Sequence, residues 1–286
     1  MQAAVDLTLE DFVRTALAPG ATAAAIGLAL SLLAGRGRRG AWILGLSVAG
    51  GALVGQIRTD GFPTFPPGDG IRWIPFLVAG VLALFATDDA LGFRPVPRLL
   101  ARLAALGAAV SALSLPLAAR WERNETAIHF AIPIAAGLVV WVSLDRLARE
   151  RKAAAGTVAL LVAATGASLA NLFAYSARIA QLGGGLASAF GAATAVALVF
   201  RSRPLGRTAA AVGVTVLLSH LLGGVLYSYL PVASAALLLA TPLAVGLAPR
   251  RRPEEPATIR SLLVVGVAAA IPAAIAVWLA VPPSDY

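Results

Sequence analysis

Cysteine is absent from this 286-residue chain and charge is scarce: 13% of the residues are Asp, Glu, Lys or Arg, and two are histidine. The first absence excludes disulfides, thiolate metal sites and a cysteine nucleophile, and leaves the redox compartment unread. The second excludes the charged surface that a water-soluble fold of this length displays. Lys152 is the one lysine among 23 basic residues; with abundant alanine and glycine, this arginine bias is the composition of a GC-rich bacterial genome. Nucleotide-binding loops, G-x-S-x-G elbows and paired carboxylates are also missing. No Asp, Glu, Lys or Arg falls near the centre of an apolar block, while Arg72 and Arg102 sit close enough to an end to snorkel. Proton relays, intramembrane carboxylate cation sites and voltage sensors are disfavoured accordingly.

Apolar residues fill the space that charge leaves. They make up 59% of the chain, the mean hydropathy is +0.83, and they lie in long blocks instead of alternating. The solvent of such a chain is lipid. A net charge of +9 and a pI near 11.2 would suit nucleic acid, but the basic residues stand in short clusters between apolar blocks, as in cytoplasmic loops. No nucleic-acid partner is expected. The blocks predict an all-α polytopic integral membrane helix bundle, one domain over 1–286, with ten transmembrane helices at 16–34, 41–57, 71–87, 101–119, 127–144, 154–176, 179–200, 208–228, 232–248 and 261–281. Spans eight and nine are joined only by Tyr229, Leu230 and Pro231, where a re-entrant hairpin is the alternative to two crossings. Residues 1–17 carry Asp6, Glu10 and Asp11 ahead of the first block, unlike a signal peptide. Leu9, Phe12, Val13, Ala16 and Leu17 share one helical face there. That pattern reads either as an interfacial amphipathic helix or as a solvated first turn of span one.

Alternate connections must share a side of the membrane. One set holds Arg36, Arg38, Arg39, Arg94, Arg98, Arg102, Arg146, Arg149, Arg151, Lys152, Arg201, Arg203, Arg207, Arg250, Arg251, Arg252 and Arg260, or 17 of the 23 basic residues. Retention of positive loops in the cytoplasm puts both termini outside and the chain in a bacterial inner membrane. The five tryptophans fall near span ends, as interfacial anchors do. Ten spans divide into five and five, and AIPIAAGLVVW in span five resembles AIPAAIAVW in span ten, the arrangement of an inverted repeat. Small residues recur at helix-contact spacing as Ser47, Gly51, Gly55 and as Ala187, Gly191, Ala195. Pro75, Pro116, Pro133, Pro242 and Pro272 mark kinks.

Polar side chains at membrane depth are the candidate site. In span six Thr165, Ser168, Asn171 and Tyr175 form one stripe. In span eight His220 and Tyr227 share a face across Gly224, with Ser219 alongside. Leaving such groups against lipid costs a few kcal/mol, so they face protein or water. Ser168, Asn171, Tyr175, Ser219, His220 and Tyr227 are therefore the expected substrate-binding residues, around a cavity open to the outside. The competing reading is interhelical packing, at about 0.6 kcal/mol per polar contact. The outer loop RTDGFPTFPPGDG, residues 58–70, reads as a turn-rich closure that can cap a site. Neither His220 nor His129 has an acidic neighbour at ligand spacing, so no metal is expected, and no cofactor. An enzyme is disfavoured for the same reason: a lipid-modifying enzyme with His220 or His129 as base lacks an acidic partner nearby. The expected function is a transporter-like or small-solute-binding membrane protein without intramembrane carboxylates, its partners the lipid bilayer and a small solute. The alternative is a structural or assembly subunit that holds a membrane protein partner.

Overall fold

The computed structural model describes residues 17–33, 42–150, 153–199, 206–247 and 259–282. Among these residues the chain is all-helical, without strands. The helices are α1 (Ala18–Leu33), α2 (Ile43–Asp60), α3 (Ile74–Leu91, entered by a 3-10 turn Ile71–Trp73), α4 (Pro95–Ala118), α5 (Arg123–Glu150), α6 (Ala153–Phe173), α7 (Ala177–Val199), α8 (Arg207–Tyr227), α9 (Val232–Ala240, running on as a 3-10 segment Thr241–Leu247) and α10 (Ile259–Ala280). Each overlaps one of the ten expected spans. Seven, α3 to α8 and α10, are long and apolar enough to cross a membrane; α1 and α9 with its tail are shorter apolar helices, and α2, which ends in Arg58 and Asp60, falls in neither group. The expected interfacial helix in residues 1–17 lies almost wholly outside the described residues.

Proline sets two of the boundaries. α4 starts at Pro95, ahead of the expected Ala101, because a proline in the first turn lacks only an N–H that has no helical partner there. Pro242 cannot donate to the carbonyl four residues back, and the α-helical part of α9 stops at Ala240.

α8 is the axis of the bundle. It is apolar on every side, and 89% of its apolar window is buried, against 22% in α10; a helix apolar all round belongs inside. α2, α3, α4, α5 and α9 surround it. α1, α2 and α7 form a tight group to one side, and α6 packs between α7 and α10. The contacts follow the five-and-five division in part. α1–α2 matches α6–α7 and α4–α5 matches α9–α10, but α6–α10 and α5–α8 have no comparably close equivalents among the described residues.

The Ser47, Gly51, Gly55 stripe finds its partners in α1 and α7. Ser47 donates to the Ala23 carbonyl, a Cβ on Gly51 would stand 2.8 Å from the Pro19 carbonyl oxygen and 2.7 Å from Ala189 Cβ, and Gly55 lies beside Pro19 and Gly185. On α7 the close approach is made one turn earlier than the Ala187, Gly191, Ala195 stripe. A Cβ on Gly183 would come within 3.1 Å of the Ser168 Cα, whereas Ala195 is exposed.

Ion pairs show which helix ends lie together. At the arginine-rich end the buried Asp88 carboxylate of α3 accepts from Arg98 Nε (2.8 Å) and Nη2 (3.1 Å) of α4, from Arg207 Nη1 (3.3 Å) of α8 and from the Phe93 amide (2.7 Å). Its neighbour Asp89 caps α8, accepting from the Thr208 hydroxyl (2.6 Å) and amide (3.1 Å). Arg102 does not snorkel: with α4 beginning at Pro95 it lies about two turns inside the helix, where the residue is 7% exposed and its guanidinium is bonded to Asp145 of α5 and set over the Trp141 ring at 5.9 Å. An arginine so placed is satisfied more fully by a carboxylate and an aromatic face than by reaching for distant water. Among the described residues the two most deeply buried carboxylates, Asp88 and Asp145, are therefore at this end.

Candidate functional site

The opposite end gathers the C-terminal ends of α2, α4, α6 and α8 and the start of α7. Its organiser is Arg178, in the first turn of α7. The guanidinium donates to both carboxylate oxygens of Asp60 at the end of α2, from Nε at 2.7 Å and Nη2 at 2.9 Å, and to Asp69 from Nη1 at 3.1 Å. Asp60 and Asp69 stand at the two ends of the loop 61–68, so one planar, permanently charged fork ties both ends of the loop to α7. Gln56 donates to Asp60 from within α2. Asp69 also accepts the Arg72 amide at 2.9 Å, which fixes the turn into α3. Phe65, Trp73 and Phe76 meet edge to face at 5.8–6.2 Å beside it, and Phe62 and Phe65 are exposed as interfacial side chains are.

Under this strap is a pocket of about 220 Å³ lined by Asp69, Gly70, Ile71, Ser176, Arg178, Ile179 and Tyr227. Tyr227 closes one wall, its hydroxyl donating to the Leu113 carbonyl at 2.7 Å. From Tyr227 down α8 toward mid-membrane, Gly223 and Gly224 put no side chain on the next turn, and His220 follows about 10 Å below.

The six expected site residues separate on this geometry. Tyr227 lines the pocket. Asn171 and His220 are deeper, 1% and 3% exposed. Asn171 Nδ2 donates to the Ala167 carbonyl at 2.8 Å, and its Oδ1 stands where a Cβ on Gly224 would be. His220 Nδ1 is 2.7 Å from the Val216 carbonyl. A carbonyl only accepts, so Nδ1 carries the proton and the Nε2 of the neutral ring is an acceptor. Asn171 Oδ1 and His220 Nε2 have no hydrogen-bond partner among the described residues. They are two buried acceptors on neighbouring turns of facing helices. Ser168 donates to the Ala180 carbonyl at 2.7 Å and joins α6 to α7, and Ser219 bonds back to Thr215 at 2.8 Å. Tyr175 is 71% exposed and meets Tyr229 edge to face, beside the pocket and not in it. It occupies the left-handed position (φ 63°) that ends α6, where the Ser176 amide returns to the Asn171 carbonyl at 3.0 Å.

Compared with known proteins, the chain matches no family model, no curated protein and no solved structure.

Arg178, Asp60, Asp69 and Ser176 complete the site and were not among the expected residues. Their signal in the sequence is a lone arginine opening an apolar span on the arginine-poor side, opposite a loop with an aspartate near each end. Among the described residues no group of three His, Cys, Asp or Glu is placed to hold a metal ion.

Asp69 makes the strap sensitive to acid. Burial alone would raise the pKa of its carboxyl, but the Arg72 amide and the Arg178 guanidinium outweigh burial and hold it below the usual carboxylate value. A depressed folded-state pKa gives stabilisation that is complete above the unfolded value and is lost as pH falls through the folded one. Because only the thiolate reacts, labelling of a cysteine at the open Gly68 position is read relative to a free thiol at the same pH; that ratio is expected to be independent of pH from neutrality to about 5, and to rise only below the ordinary carboxylate range near 3.9. A rise between pH 5 and 7 would exclude Asp69 as the acid-sensitive tie.

Proposed function

We propose that the protein is a multi-pass membrane protein of the bacterial inner membrane that binds, and carries across, a small polar solute entering from the outside through the Arg178–Tyr227 pocket. The observation that carries this reading is the pocket itself, a largely apolar recess of about 220 Å³ with Asp69, Ser176, Arg178 and Tyr227 on its wall, at the arginine-poor end, with unsatisfied acceptors buried further down α6 and α8. Asn171 Oδ1 and His220 Nε2 both lack a donor, so the solute is one that donates hydrogen bonds, such as an amine or a polyol. The opposite end supports the same reading: Asp88, Arg98 and Arg207 join α3, α4 and α8, and Arg102 and Asp145 join α4 and α5, as a closed inner side requires. Both termini then lie outside.

A second reading, a structural subunit that holds a partner in the membrane, has an observation of its own. Thr165, Asn171, Ser219 and His220 each bond the carbonyl four residues back on their own helix, which is how polar side chains in packed helices are satisfied.

The cysteine-free sequence makes the test direct. Ser176→Cys in intact cells is expected to react with a membrane-impermeant thiol reagent added outside, and Arg260→Cys only after the membrane is opened. Amines and polyols, screened as classes, are expected to slow the Ser176→Cys reaction and to raise the unfolding temperature. Reaction of Arg260→Cys from outside would invert the sidedness. Absence of protection by every class, with Asn171→Leu and His220→Leu as stable as the parent, would leave the subunit reading in its place.

A further inference from the structure

α5 and α9 both lie against α8; over Val232–Ala240 the two scarcely touch, and they meet closely only at the 3-10 tail Thr241–Leu247. The wedge between them is a groove of about 290 Å³ that opens sideways from the bundle and begins at the same end as the Arg178–Tyr227 pocket. Its floor is Leu218, Leu221 and Leu222 of α8, buried; its walls include Ile132 of α5, 61% exposed, and Ala236 of α9. His129 is the one polar lining residue. Its ring stacks on Trp121 at 4.3 Å and 25°, and an indole at a helix end marks the depth of the headgroup layer. From His129 to Ala136 the groove descends about 10 Å, from that layer into hydrocarbon. Arg120 and Arg123 stand on either side of Trp121 in the chain; both are exposed and neither takes part in an ion pair among the described residues. Glu125 accepts from the Glu122 amide at 3.1 Å and pairs with neither arginine.

We propose that this groove is a phospholipid site: one acyl chain lies along α8 between α5 and α9, and the phosphate is held by Arg120 and Arg123. Each half of the molecule has its counterpart. The groove is hydrocarbon-lined and opens toward lipid, where water has no access and acyl chains do. Two unpaired guanidinium forks beside an interfacial indole match a phosphate in charge and geometry. The site is independent of the Arg178–Tyr227 pocket, because it faces outward from α8 on the side away from α7.

The test uses the full chain in phosphatidylcholine vesicles containing a phosphatidylglycerol with a diazirine on one acyl chain. After irradiation, cross-links are expected to concentrate in residues 128–136 and 218–239. Ala236→Trp and Ile132→Trp, which fill the groove from exposed positions, are each expected to lower that labelling roughly tenfold, and neutralising Arg120 and Arg123 together to lower it several-fold, with the unfolding temperature unchanged. Labelling spread evenly over the exposed face of α10, labelling that survives either tryptophan, or labelling indifferent to the two arginines would overturn the proposal. Cross-linking of one copy to another through these helices, with no lipid adduct, would overturn it in favour of self-association.

Discussion

Replacing Asp88 by alanine is expected to destabilise the protein by about 3–5 kcal/mol, the range for breaking a buried ion pair from one side. Its carboxylate is fully buried and takes four of its hydrogen bonds from Arg98, Arg207 and the Phe93 amide. Removing it leaves two cations on α4 and α8 facing each other, with only partial access to water: the two side chains are 14% and 27% exposed. Repulsion and lost solvation then act together at the one place where three helices are tied. Asp88→Asn keeps an acceptor for the Phe93 amide but not the charge, and should fall between alanine and the parent. Arg178→Gln is the contrast. That side chain is 36% exposed and so, at 39%, is Asp69, but the Asp60 carboxylate left behind is 8% exposed and keeps only Gln56, so about 1–3 kcal/mol is expected. Thermal unfolding of the purified protein in one detergent measures all three. A loss below about 1 kcal/mol for Asp88→Ala would mean the network is solvated like a surface pair.

What could be read from the sequence divides along physical lines. Helix positions were legible because lipid imposes a simple rule, twenty or so apolar residues per crossing; the central place of α8 was not, because its His220–Tyr227 face read as the wall of a cavity. Burial of Asn171 and His220 was legible, because polar groups are costly against lipid. The charged groups were not, because pairing is tertiary: Arg102 meets Asp145 across 43 residues and Arg178 meets Asp60 across 118. Counting Arg178 only as one basic residue on the sparse side hid what it does there. The polar stripe on α6 shows a second limit. Periodicity puts Ser168, Asn171 and Tyr175 on one face, but the left-handed turn at Tyr175 ends the helix and swings that ring out to Tyr229. A stripe is continuous only as far as the helix that carries it.

Gly51→Ala and Gly55→Ala differ by one helical turn on the same face of α2 and are expected to behave oppositely. At Gly51 the new Cβ would stand 2.8 Å from a backbone oxygen of α1 and 2.7 Å from Ala189 Cβ of α7, and neither neighbour is the free end of a flexible side chain. One of the helices must move, at about 1–3 kcal/mol for an overpacked contact. At Gly55 the nearest atoms are Pro19 Cγ at 3.4 Å and the Gly185 Cα at 3.5 Å, which is ordinary contact. There the methyl group fits, and alanine's better helix propensity, up to about 1 kcal/mol, makes the change neutral or stabilising. Unfolding temperatures of the two variants, measured side by side, settle whether α1 and α7 approach α2 as closely as this. Equal shifts would mean that the small residues are only compositional and that α1 sits away from α2. A large loss confined to Gly51 would locate the tightest three-helix contact there, on the flank of the bundle whose far end is strapped by Arg178, so that loosening it should also speed thiol labelling at Ser176→Cys.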